Sequence, residues 1–225
     1  MDRPVEVEGL LAPAGNVGEI RQLTLFFADL VNSTALSTQV EPETYRLVVG
    51  RYRKQVLCIV SGYDGHIGST KGDGLLAVFG HPTSHGDDAR RAVQAGLEIT
   101  REVSRLSDQS QRRFGFGVDV RVGVHCGLVY LDAAHGDFSG KAANVASGIS
   151  GLAPPGAVVV SGAVATLIAN DFELEACPPA AVKGVEEPID SYLVVSERWQ
   201  PDTSVGHARR SSHSSCDLDD ARTDR

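Results

Sequence analysis

Clustered basic residues are what this chain most conspicuously lacks. Its 225 residues carry 21 Lys and Arg against 29 Asp and Glu, a formal net charge of −8. A nucleic-acid surface needs grouped cations, so that class is excluded, and a polyanionic substrate would have to be held by metal ions and a few placed basic side chains. Cysteine is sparse as well. Cys58, Cys126, Cys177 and Cys216 stand far apart with no CxxC spacing, which argues against a zinc site or a disulfide framework and for a reducing compartment. No apolar run approaches the length of a membrane span, and residues 1–20 lack a basic-then-apolar leader pattern. The expectation is a cytoplasmic protein with no membrane partner. No internal repeat is present, and aromatic residues make up only 6% of the chain.

What is present is an ordinary globular composition, 42% hydrophobic, with length enough for one domain and extensions. Residues 1–20 hold Pro4, Pro13 and several Gly without periodicity and read as a loose lead-in. From residue 197 onward the chain is polar and buries too little apolar surface to offset ordering entropy, so 197–225 read as a disordered tail. The domain is therefore assigned to residues 21–196.

Within it, strand and helix patterns alternate. Residues 23–28 form a continuous apolar run, as in a buried strand. Tyr45, Val48, Val49, Tyr52, Val56, Ile59 and Val60 then recur at helical spacing, with Glu41, Pro42 and Glu43 suiting the helix start. Residues 65–69 and 74–79 read as a hairpin around Lys71, Gly72 and Asp73. A second amphipathic helix opens at Asp87 and Asp88, a long strand covers 118–130, a helix 140–149, and short strands 157–160 and 189–195. The class is α+β: a ferredoxin-like βαββαβ core with C-terminal extra strands and helix.

Two carboxylates end apolar strands in this scheme, Asp29 and Asp73. Either alone reads as a helix cap or a hairpin turn residue. Together, at the edges of neighbouring strands, they suit a pair of divalent cations. The turn Leu30-Val31-Asn32-Ser33-Thr34 that follows Asp29 offers backbone N–H groups and two hydroxyls to a polyphosphate.

Five ordered motifs carry a resemblance. Phe27-Ala28-Asp29-Leu30-Val31 with Ser33-Thr34, Gly72-Asp73-Gly74 running to Ala77-Val78-Phe79-Gly80, Asp88-Ala89 with Arg91-Ala92-Val93, Arg121-Val122-Gly123-Val124-His125 with Gly127, and Val182-Lys183-Gly184-Val185 with Glu187-Pro188 follow one another as in class III nucleotidyl cyclases. The resemblance implies a head-to-tail dimer with its active site between protomers, and conversion of ATP to 3′,5′-cyclic AMP and pyrophosphate, with GTP a possible substitute. It implies two divalent cations, Mg2+ or Mn2+, at Asp29 and Asp73. It gives Asp137 the adenine amino group, Asn144 the ribose and Lys183 the phosphates.

Two positions depart from the family. Gly148 stands where an Arg would steady the pentavalent phosphate, and Ser69 where a Lys would read the base. Lys71, two residues along, is displaced toward the turn, and Lys141 and Arg113 have no place in the scheme. His125 reads as core packing and His135 as exposed. Three readings stay open: a weakly active homodimer, a heterodimer with another cyclase-type chain that supplies the missing Lys and Arg, and an inactive regulatory module that binds nucleotide or dimerises. An RNA-binding ferredoxin-like domain is disfavoured by the charge and by strands without exposed base-stacking aromatics.

Overall fold

The computed structural model describes residues 18–132, 137–182 and 185–198. The chain runs β1 (Glu19–Leu30), α1 (Ser33–Gln39), α2 (Pro42–Gly62), β2 (His66–Lys71), β3 (Gly74–Phe79), α3 (Asp88–Phe114) and β4 (Val120–Asp132). It continues through β5 (Asp137–Ser139), α4 (Lys141–Leu152), β6 (Val158–Ser161), α5 (Gly162–Ile168), β7 (Phe172–Ala176) and β8 (Ser191–Glu197). The sheet order is β2-β3-β1-β4-β6-β8-β7, with β5 paired to β4 off this path. The β2-β3-β1-β4 portion is the ferredoxin-like core, all antiparallel. A parallel β4–β6 pair joins the extra strands to it.

β1 is central, and both its faces are covered, which explains its almost wholly apolar run, with Thr24 buried among Leu and Phe. Phe26, Ala28 and Leu30 belong to the core formed with α2 and α3. Leu23 and Leu25 point the other way, into a second cluster with Val78, Phe138, Ala142 and Ala146 of β3, β5 and α4. The helical stripe of α2 buries Val48, Tyr52, Val56, Ile59 and Val60 as its spacing predicts. α3 spans 27 residues and ends at Gly115, whose φ of 80° gives the left-handed cap that an L side chain resists.

Four elements have no counterpart in the strand-and-helix pattern read above: α1, β5, α5 and β7. They run three to seven residues, too short for periodicity to register. The last strand also shifts. It begins at Ser191, while Ile189 makes a lone bridge to Ala180. Among the described residues, no helix is long and apolar enough to cross a membrane. The lead-in before residue 18, His135 and the tail after residue 198 lie outside the described residues.

α4 approaches β4 backbone to backbone at Gly123. A Cβ there would lie 2.3 Å from both the Ala146 carbonyl oxygen and the Ser150 nitrogen, neither of which can rotate away. Gly123→Ala is therefore expected to destabilise the domain toward the upper end of the ~1–3 kcal/mol typical of overpacking, read as a lower urea midpoint at unchanged m-value. An unchanged midpoint would contradict this close contact.

Candidate active site

β1 pairs with β3 so that Ala28 faces Leu75, which brings Asp29 beside the turn carrying Asp73. β1 also pairs with β4, and there Asp29 faces Arg121. Two strand pairings thus set one carboxylate between a second carboxylate and a guanidinium. Asp29 and Asp73 stand within hydrogen-bonding reach of each other. Arg121 Nη2 lies 3.7 Å from Asp29 Oδ2, the bridge being partly exposed. Burial, the Asp73 charge and a hydrogen bond with Asp73 push the Asp29 carboxyl up to about 6, against the lowering effects of Arg121 and the Leu30 N–H.

The surroundings of the pair are built for it. Gly72, at φ 67°, makes the tight turn before Asp73, and Arg53 of α2 donates to the Gly72 carbonyl, tying the hairpin to the helix. Asp73 Oδ2 and Arg121 Nε are buried with no hydrogen-bond partner among the described residues. The Tyr45 phenol is pushed up by burial and then by Asp73, and it bonds to Ser33. An orphaned carboxylate oxygen, facing carboxylates and an all-oxygen donor set fit a hard divalent cation such as Mg2+ or Mn2+. Among the described residues no group of three or more His, Cys, Asp or Glu is placed to hold a metal. Two carboxylates per site is the arrangement in which substrate phosphates complete the coordination.

The turn after Asp29 is less open than its sequence suggests. The Leu30 N–H is directed at the Asp29 carboxylate, and the Val31 N–H donates to the Asp119 carbonyl at 2.8 Å. Neither amide is free for a phosphate. Asn32 adopts φ 54°, and the first bond of α1 is Leu36 N–H to the Asn32 carbonyl, which leaves the amides of Asn32, Ser33 and Thr34 ahead of the helical ladder.

The remaining predicted positions lie on other elements. Asp137 opens β5 opposite Asp132. Asn144 is exposed on α4, and no described hydrogen bond joins it to the carboxylate pair. Ser69 is exposed on β2, opposite Leu76 and just past a bulge. Lys183 lies outside the described residues. Gly148 is not simply a missing side chain. A Cβ there would lie 2.2 Å from Val182 Cγ1, so Val182, itself buried, fills the space where a longer residue would start. His125 is half-buried, its Nδ1 lies 2.9 Å from Ser161 Oγ, and burial pushes it down, as a packed histidine should be. Arg113 stacks over Phe114 at 5.2 Å. Sequence reasoning assigned no role to Arg121, Arg53, Tyr45 or Tyr52. Arg121 stood in plain view inside a quoted motif, yet only strand register sets it opposite Asp29.

The raised Asp29 makes stability depend on pH. Its folded-state value near 6 exceeds the ordinary 3.8, so the proton favours the folded chain. That contribution is full below about pH 4 and is lost as pH rises through about 6. In metal-free buffer, Asp29→Asn should melt increasingly above wild type as pH goes from 4 to 7, by differential scanning calorimetry. A constant offset between the two would exclude a strained carboxylate pair.

The arrangement has relatives. The family model for the adenylate and guanylate cyclase catalytic domain matches residues 16–196. A putative adenylate cyclase 3 of Rhizobium meliloti is 25% identical over 183 residues, covering 80% of this chain and 28% of that protein. An adenylate cyclase of Streptomyces coelicolor is 27% identical over 201 residues, covering 85% of this chain and 48% of that protein. This chain thus spans less than half the length of either. Among solved structures, the adenylyl cyclase CyaB of P. aeruginosa superposes with a TM-score of 0.75 at 26% identity, covering 81% of this chain and 97% of that one. The guanylyl cyclase Cya2 shares the fold, with a TM-score of 0.74 over 80% of this chain and 95% of its own. With the family model covering nearly its whole described length, this chain belongs to the adenylate and guanylate cyclase catalytic domain family.

Proposed function

We propose that this chain converts ATP to 3′,5′-cyclic AMP and pyrophosphate at a dimer interface, slowly when alone. The observation that carries the reading is the convergence of Asp29 and Asp73 beside Arg121, with the Asp73 Oδ2 left without a partner. Two divalent cations, when bound there, would promote loss of the ribose 3′-hydroxyl proton and neutralise the leaving pyrophosphate. Asp29 and Asp73 hold them. Arg121 balances phosphate charge from the neighbouring strand, and Asn32, Ser33 and Thr34 offer the remaining amides and hydroxyls. From the partner protomer, Asp137 accepts from the adenine amino group, Asn144 orients the ribose, and Lys183 meets the phosphates. A soluble cytoplasmic setting, where ATP is abundant, belongs to the same reading.

The deficit lies in the second half-site. Gly148 presents no guanidinium and Ser69 no ammonium. Loss of a transition-state arginine costs about 10³–10⁵ in rate in related phosphoryl chemistry. Base choice rests largely on Asp137, whose acceptor oxygens suit adenine over guanine. A second reading is favoured by the packing of Val182 over Gly148: an inactive module that binds nucleotide, or pairs with another cyclase-type chain, in a regulatory role.

Purified protein given Mn2+ with ATP or GTP should form cyclic AMP in preference to cyclic GMP, and Asp73→Ala should lower turnover at least ~100-fold through loss of a cation. Undiminished turnover in Asp73→Ala would refute the two-metal assignment. No product from wild type would favour the regulatory reading. Gly148→Arg with Ser69→Lys should fail to raise turnover while Val182 is present, and should raise it once Val182→Gly makes room. Equal gains with and without Val182→Gly would show that the obstruction is not real.

A further inference from the structure

Behind the carboxylate pair, between α2 and the β2–β3 hairpin, lies a cavity of about 100 Å³ lined in part by Tyr52, Arg53, Thr70 and Asp73. The Tyr52 ring is fully buried, and its hydroxyl has no hydrogen-bond partner among the described residues. Asp73 lines the same cavity, and its Oδ2 is equally unpartnered among the described residues. A buried hydroxyl without a partner is costly, and phenylalanine would fill the same space without that cost. Burial first, then Asp29 and Asp73, push the Tyr52 phenol upward, so it stays protonated and can only donate toward a carboxylate. The two groups do not bond directly, and the cavity beside them is large enough for a water.

We propose that Tyr52 is a positioning residue for the cation site: its hydroxyl reaches Asp73 Oδ2 through one water and so fixes the rotation of the Asp73 carboxylate that would hold a cation with Asp29. Arg53 holds the turn backbone through the Gly72 carbonyl, and Tyr52 holds the carboxylate rotation that the backbone leaves free. Partners of this kind orient metal ligands and raise cation affinity without touching the metal. The inference rests on the reading of Asp29 and Asp73 as cation ligands, and the experiment separates the two.

Mn2+ binding to the purified chain, followed by loss of the free-ion electron paramagnetic resonance signal, is compared for wild type, Tyr52→Phe and Asp73→Asn, with melting temperatures taken without metal. Tyr52→Phe should bind Mn2+ about 10-fold more weakly while melting at or above the wild-type temperature. A purely structural tyrosine would give a lower melting temperature with affinity unchanged. If Asp73→Asn loses binding and Tyr52→Phe does not, the role assigned to Tyr52 is wrong. If Asp73→Asn binds as wild type does, the cation site itself is wrong and the proposal falls with it.

Discussion

Repulsion between two carboxylates is the constraint on which the site depends. Asp29 and Asp73 cannot both be ionised at close range, half out of water, without opposing positive charge. Arg121 supplies part of it at 3.7 Å, but one guanidinium does not offset two carboxylates, and the Asp29 carboxyl remains raised. Such a pair is stable in its ionised form only when more cation arrives. The fold therefore keeps a local electrostatic strain, which the binding of divalent ions proposed above would relieve.

The strain persists because backbone, not side-chain preference, sets the geometry. β1 is held on both sides, by β3 at one edge up to Ala28 and by β4 at the other, where Asp29 itself is paired with Arg121. Asp73 is held by the Gly72 turn and by Arg53 reaching over from α2. The buried stripe of α2 locks that helix against the sheet, so the cation site is coupled to the main core.

The region around α4 is packed differently. α4 is drawn close to β4 by Gly123, and Asn144 remains on its exposed side. At Gly148, Val182 occupies the space beside the helix backbone. The absence of a cation there is consequently a packed feature and not an open slot. The Asp29–Asp73 region keeps its charges close together, while the surroundings of Gly148 are apolar.

Much of this was legible from the amino-acid order alone. The βαββαβ alternation, the stripe on α2, the hairpin at residues 65–79 and the acidic start of α3 all follow from local periodicity and turn chemistry, and each is present in the structure. The ordered motifs around Asp29, Asp73 and Arg121 also sufficed to name the family. Elements of three to seven residues escaped, because too few positions exist for a pattern to form. The loss of the Leu30 and Val31 amides to neighbours, the station of Arg121 opposite Asp29, the burial of Tyr52 behind Asp73 and the contact of Val182 with Gly148 were decided by tertiary structure. Each joins residues far apart in the chain or depends on which neighbour a backbone group chooses, and no local preference encodes either.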